Sequence, residues 1–226
     1  MLMRLSMVLL LAALPVMAQE RFDLKNASRQ FDVRIEVASC ENKICEGMAT
    51  YTLFIKGTAK RFQIFKLANT SFLLDESNKP PANRTLLYDQ QSAINFGDFN
   101  FDGTEDLALC DGTKGGYGMP SYQIYLFSRQ SKKFVNSTAF TRLAQQGYLG
   151  MFEVDEKRKV LQTFSKSGCC FHVTEEYTVV ENRPKKVLEI TEDATNFESQ
   201  KVKITTLRLV KGRWRKTVRF ETRREN

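Results

Sequence analysis

Apolar and polar residues alternate with a period of two along almost the whole chain. The stretch FDVRIEV puts Phe31, Val33, Ile35 and Val37 on one face and Asp32, Arg34 and Glu36 on the other. That is the pattern of a strand with one buried side. TYTLFI and RFQIFKL continue it, separated by Gly57 and a charged turn. SYQIYLF leads through SRQSKK into FVNS. KVLQTFS and EEYTVV flank a pair of cysteines, and ENRPKK reads as a turn before VLEIT. KVKITTLRLV and RWRKTVRFET are joined by Lys211-Gly212, a hairpin turn. Only STAFTRLAQQ, residues 137–146, predicts a short helix. The expected fold is therefore all-β and antiparallel, either a sandwich or short hairpins arranged radially as in a propeller.

The first 18 residues break the pattern. Arg4 precedes an apolar run from Leu5 to Leu14, interrupted only by Ser6; Pro15 ends it, and Val16-Met17-Ala18 offers small residues for cleavage. This predicts a secretory signal peptide, too short for a membrane span. No later apolar run is long enough to span, so a periplasmic or secreted protein is expected. The remaining chain divides into an N-terminal β segment (19–76), a linker-like turn with two prolines (77–84) and a β region (85–226). The two β segments are free to form one domain.

Export changes the reading of charge and cysteine. The formal net charge is +8, with Arg4 contributing one of those charges. A basic exported protein suits anionic envelope polymers or an acidic protein, and the compartment makes nucleic acid a poor partner. The five cysteines, Cys40, Cys45, Cys110, Cys169 and Cys170, should pair in an oxidising compartment. CENKIC reads as a hairpin tip clipped by a Cys40–Cys45 bridge. Adjacent cysteines are strained partners, so Cys110 is expected to bond Cys169 or Cys170 and leave one thiol.

The richest chemistry lies in INFGDFNFDGTEDLAL, residues 94–109. Counting from Asp98, side-chain oxygens fall at the first, third and fifth positions (Asp98, Asn100, Asp102). Gly103 follows, Thr104 can offer its carbonyl, and Asp106 stands ninth. This is the spacing D-x-[DN]-x-D-G-x-x-D, which winds hard oxygens round a calcium ion. The double charge of Ca2+ would offset the crowding of carboxylates. Leu109 stands where an EF-hand carries its bidentate glutamate, and the flanks read as strands, so a hairpin-type calcium loop is expected. An acidic surface turn without metal is the alternative. Phe96, Phe99 and Phe101 are expected to bury around the loop.

The segment from Phe96 to Leu107 resembles integrin-type FG-GAP repeats, with their F-G-D-x-N-x-D-G-x-x-D-L pattern. A signal peptide, an N-terminal β segment, GDFNFDGTEDL, a glycine-rich loop, Y-x-x-Y-L-F and a charged turn before KFV follow in order. Together they resemble calcium-containing periplasmic proteins related to i-type lysozyme inhibitors, some of which act as immunity proteins against peptidoglycan-hydrolase effectors. The resemblance covers Ile94 to Leu143. It implies a propeller-like β fold, a protein partner of the hydrolase class and insertion of a loop into the partner's active site. By position that loop is Gly112 to Tyr122, with Tyr117, Met119, Ser121 and Tyr122 as partner-binding candidates. The competing expectation is a calcium-stabilised structural or adhesion module.

Catalytic alternatives are weaker. Cys170 and His172, the single histidine, could share a strand face, yet an exported cysteine tends to oxidise. Glu153/Asp155 and Glu175/Glu176 are possible glycosidase pairs with nothing to set their separation. The C-terminal run reads as an amphipathic strand with a basic outer face. Asn26, Asn69, Asn83 and Asn136 lie in glycosylation sequons, which matter only in a eukaryotic secretory pathway. A non-enzyme is expected.

Overall fold

In a computed structural model, residues 19–85 and 91–223 are described, and they fold into three antiparallel sheets. The signal-peptide reading of residues 1–18 lies outside them. The first sheet contains β1 (Glu20–Leu24), β2 (Phe31–Glu41), β3 (Ile44–Ile55), β4 (Arg61–Leu67) and β5 (Ser71–Leu73). The second is β6 (Ile94–Gly97), β7 (Asp106–Gly112), β8 (Ser121–Ser128) and β9 (Lys133–Asn136). The third is β10 (Glu153–Asp155), β11 (Val160–Ser167), β12 (Phe171–Val180), β13 (Arg183–Asp193), β14 (Lys201–Val210) and β15 (Arg213–Thr222). A single-turn helix α1 (Thr138–Thr141) and a 3-10 turn (Arg142–Ala144) occupy the predicted helical stretch.

The second sheet lies between the other two. Leu107 and Leu109 of β7 join a core with Val33, Ile35 and Val37 of β2 and with Tyr51 and Leu53 of β3. Ala108 and Cys110, which alternate with those leucines, join a second core with Tyr122, Ile124, Phe140, Phe152, Leu161 and Tyr177. Both faces of β7 are therefore dry, and all seven of its residues are buried. This is a layered β-sandwich rather than a barrel. Truncating one of the central leucines, Leu107→Ala, should cost about 2–5 kcal/mol, because a cavity would open with no water-facing side to relax into.

Hairpins close where the backbone can take positive φ. Asn42 and Lys43 (φ 49° and 68°) turn the β2–β3 hairpin, and Cys40 pairs with Cys45 just below them. That bridge forms as expected. Lys211 and Gly212 (φ 49° and 76°) turn β14 into β15, the two-residue hairpin that the sequence predicts. The ENRPKK turn is shorter than expected. Glu181 and Asn182 make it, and β13 already begins at Arg183. Pro184 is tolerated in the strand because β14 pairs with β13 only from Leu188 onward, leaving that side of Pro184 free.

The second disulfide differs from expectation. Cys169 bonds Cys170, and Cys110 is a free, buried thiol. Cys169 and Cys170 sit in the β11–β12 turn after Gly168 (φ 63°). Cys110 lies in the middle layer with its Sγ 3.0 Å from the Ser71 carbonyl. A bond from Cys110 would require that hairpin tip to enter the core.

The linker-like turn is docked. Pro80 and Pro81 are buried, and Ala82 forms a parallel bridge with Ile94. The Asn83 side chain donates to the Ala27 carbonyl (2.8 Å) and accepts from the Phe96 N–H (2.8 Å), tying the turn to both flanking segments.

Candidate functional site

The acidic loop connects β6 to β7, and Gly97 pairs with Asp106 across its base. Phe101 (φ 61°) and Gly103 (φ 86°) give it its tight bend. Asp98 accepts from the N–H groups of Asp102 (2.9 Å) and Gly103 (2.7 Å). The Asp102 carboxylate accepts from the Thr104 N–H (2.9 Å), the Thr104 hydroxyl (2.5 Å) and the Asn100 amide (3.1 Å). Burial opposes the charge on Asp102, but these donors and Arg129 outweigh it and hold the carboxyl below its usual range. Asn100 also donates to Asn182 at the β12–β13 turn (2.9 Å), which ties the loop to the third sheet.

Asp106 is the anchor. It is fully buried. One oxygen accepts from Phe99 N–H (2.9 Å) and Asn100 N–H (3.3 Å), and the other from Phe127 N–H (2.8 Å) at the end of β8. Burial pushes its carboxyl up to about 7 against those three donors, and the nearby Asp102 charge adds to the rise. Phe99 buries beneath the loop against Phe152, its ring edge-on at 5.5 Å. A side chain at Gly97 would stand 2.8 Å from the Phe99 ring, so only glycine leaves room for it. Phe96 and Phe101 are half-buried, one against each core.

Whether these residues suit a cation has two sides. Among the described residues, no three His, Cys, Asp or Glu side chains are gathered as a metal-holding group. The loop carboxylates turn toward their own backbone donors. The donor chemistry nevertheless suits a hard cation: every candidate group offers oxygen, and Asp106 is a buried carboxylate with no ion pair among the described residues. A carboxylate also has about four lone-pair sites, so accepting N–H bonds leaves room for a ligand bond. A groove of ≈ 800 Å³ opens over Asp98, Asp102 and Thr104, with Arg29, Glu156 and Lys159 on its walls.

The glycine-rich loop leaves the other end of β7. It is tied down at several points. Gly115 N–H donates to the Met119 carbonyl (3.0 Å), Gly116 N–H to Tyr148 (2.7 Å), and Gln146 N–H to Lys114 (3.0 Å). Its glycines serve close approach. A Cβ on Gly115 would lie 2.6 Å from the Met119 carbonyl oxygen, and one on Gly116 2.6 Å from that of Gly147. Of the four contact candidates, Tyr117 is exposed (64%) and Met119 half-buried. Ser121 and Tyr122 are core residues and correct the expectation. Ser121 donates to Asp111 (2.6 Å), and the Tyr122 hydroxyl donates to the Ser92 carbonyl (2.8 Å). They begin β8 in the middle layer, where outward-facing positions are also covered.

Tyr117 is held in place. Its hydroxyl accepts from Gly168 N–H (2.6 Å), and Lys166 Nζ lies 5.0 Å from its ring centre. The exposed ring therefore sits beside the Cys169–Cys170 turn, a neighbour that sequence spacing did not reveal. Sequence reasoning also missed Asp111, a buried carboxylate that gathers Ser121, Gln123 (2.7 Å), Gln145 (2.9 Å) and Lys114 (3.1 Å) around the loop base. Its single sequence signal is the Asp111-Gly112 pair that ends β7.

The catalytic alternatives resolve into structural pairs. Cys170 is bonded to Cys169, and His172 packs on Phe164 at 5.6 Å. Glu175 accepts from Lys186 (2.7 Å), Tyr148 (2.8 Å) and Tyr177 (2.8 Å), whereas Glu176 pairs with Arg158 (2.7 Å). Arg158 also holds Asp155 (2.6 Å).

No family model matches the chain, and no curated protein is found similar to it. Among solved structures it is similar to one described as the structure of a Xanthomonas Type IV Secretion System related protein. The TM-score is 0.66, at 23% identity over 91% of this chain and 96% of that one. Likeness at this identity shows that the two share a fold.

Proposed function

We propose that this is an exported, non-catalytic protein that binds another protein of the cell envelope, with a peptidoglycan hydrolase as the target class. The observation that carries the reading is Tyr117: a large exposed side chain on a loop whose ends and ring are already held. A held aromatic loses little freedom on binding, which is what an affinity anchor requires. The resemblance over residues 94–143 supplies the hydrolase class. Two disulfides and a fold shared with a secretion-system related protein support an envelope setting. The net charge of +8 favours a hydrolase with an acidic cleft rim.

Calcium is the second part of the proposal. Asp98, Asn100, Asp102 and Asp106 would hold it through side-chain oxygens and Thr104 through its carbonyl. The ion would supply charge that offsets three carboxylates and would stiffen the loop.

The test is inhibition and calorimetric binding across a panel of lysozyme types, using the mature chain and Tyr117→Ala. Inhibition of at least one type is expected, and the variant should lose at least about 2 kcal/mol of affinity, roughly thirtyfold, with an unchanged melting temperature. Absence of binding to every hydrolase, or equal affinity of the variant, would reject the reading.

A further inference from the structure

The third sheet ends in β15, and this strand is unlike every other. All ten of its residues are exposed. It pairs with β14 along its full length, Lys201 with Thr222 through Val210 with Arg213, and has no partner on its other side among the described residues. An open row of backbone N–H and C=O groups is a template for another strand.

Its side chains divide by face. Trp214 (47% exposed), Val218 (45%) and Phe220 (62%) lie on one face with Lys216 between the first two, and β14 continues it with Leu209 beside Trp214, Leu207 beside Lys216 and Lys203 beside Phe220. Arg213, Arg215 and Arg219 lie on the other with Glu221, which pairs with Arg219 (2.8 Å), and Arg208 of β14 stands across from Arg215. Charge alone is a common guard against edge-to-edge aggregation. Three large apolar side chains left in water along the same edge are not part of such a guard.

We infer that β15 is a docking edge for an extended segment of a protein partner that alternates apolar and acidic residues. Added beside β15, its apolar side chains would continue the Trp214–Val218–Phe220 face and its carboxylates the arginine face. A second copy of this chain fits less well. The antiparallel register that places Thr217 opposite Thr217 does set Trp214 by Phe220 and Arg213 by Glu221. It also sets Arg215 opposite Arg219 twice, and each edge brings four cations, Arg213, Arg215, Lys216 and Arg219, against Glu221 alone. The inference rests on a different element from the Tyr117 reading and stands or falls separately.

Trp214 is the only tryptophan of the chain, so its emission reports directly on this edge. The probe is an amidated peptide of alternating glutamate and valine, with alternating lysine and valine as its control. The expected result is a saturable blue shift with the acidic peptide, weakened by salt and absent with the basic one. Replacing Arg213, Arg215 and Arg219 together by Glu should weaken binding about tenfold or more. Phe220→Ser should weaken it while retaining the charge. Both variants change exposed side chains, and an unaltered circular dichroism spectrum and melting temperature would show that they fold. No shift with the acidic peptide would overturn the inference. So would an equal response to the basic peptide, a response only to phosphatidylglycerol vesicles or a sulfated glycan, or concentration-dependent dimerisation that buries Trp214 without peptide.

Discussion

Replacing Asp106 by Asn tests the acidic loop with the smallest change of shape. The side chain is fully buried and its two oxygens receive three backbone N–H groups, from Phe99, Asn100 and Phe127. A carboxamide keeps one acceptor oxygen and substitutes an NH2 for the other. Whichever way it turns, a donor faces a donor. If the oxygen stays with Phe99 and Asn100, Phe127 loses its partner at the end of β8; in the reverse orientation, the loop loses both of its bonds. A buried N–H without a partner costs about 1–3 kcal/mol, so the variant should be destabilised by about that much with chelator present. For a chain of this size each kcal/mol moves the melting temperature by roughly 2–4 °C, giving a drop of about 2–12 °C. Calcium adds a separate increment. An ion that binds only the folded protein stabilises it by about 2.7 kcal/mol at a hundredfold excess over its dissociation constant, or roughly 5–11 °C. Thermal melts of the protein and the variant, each in calcium and in chelator, separate the two effects. An Asp106→Asn melt within a degree of the parent in chelator would refute the anchoring argument. Equal parent melts in calcium and chelator would refute the metal.

Other consequences can be checked directly. Peptide mapping under non-reducing conditions should find Cys40–Cys45 and Cys169–Cys170, and Cys110 should react with maleimide only after unfolding, because burial both covers the thiol and raises its pKa. A Cys110 adduct formed on the folded protein would contradict its placement. Burial opposes the charge on Glu175, yet the bonds from Lys186, Tyr177 and Tyr148 prevail and hold its carboxyl below the usual 4.5. A carboxylate with a depressed pKa stabilises the fold above its unfolded value, and the contribution disappears as pH falls through the folded one. Urea midpoints should therefore fall as pH drops below about 4.5, and Glu175→Gln should flatten that part of the profile while costing roughly 1–3 kcal/mol at neutral pH. An unchanged acid slope in the variant would assign it to other carboxylates. Asp98→Ala with Asp102→Ala should abolish the rise in melting temperature produced by calcium, and a surviving rise would move the ion elsewhere.

The period of two predicts the all-β antiparallel class because most strands have one face toward water, as β2 does with its alternating buried and half-buried positions. Turn chemistry is equally local: Lys211-Gly212 and the CENKIC tip need only positive φ and a two-residue loop. The middle layer is harder to read. In β7 both faces are dry, so alternation no longer separates inside from outside, and Ser121 and Tyr122 at the start of β8 look like loop residues although they are core. The cysteine pairing depends on which layers face each other, which no spacing along the chain encodes. The same is true of Tyr117 and Gly168, 51 positions apart and joined by one hydrogen bond. The order of oxygens from Asp98 to Asp106 is visible in one dimension, whereas their turn toward backbone N–H groups depends on the bend at Phe101 and Gly103.

Both loops singled out for function belong to β7. The acidic loop enters it at Asp106 and the glycine-rich loop leaves it after Gly112, seven residues away. At about 3.3 Å per residue the two lie roughly 20 Å apart along the strand. Calcium at the first loop would therefore not touch Tyr117 at the second, and the direct route between them is a strand packed on both faces. Such a strand resists displacement: moving β7 would disturb Leu107 and Leu109 on one side and Ala108 and Cys110 on the other, each already in a filled core. Tyr117 is positioned instead by its own surroundings, the Tyr148 carbonyl behind Gly116 and the Gly168 N–H on its hydroxyl. The two loops are thus held separately, the acidic loop by Asp106 in the middle sheet and the exposed tyrosine by the turn bearing Cys169–Cys170.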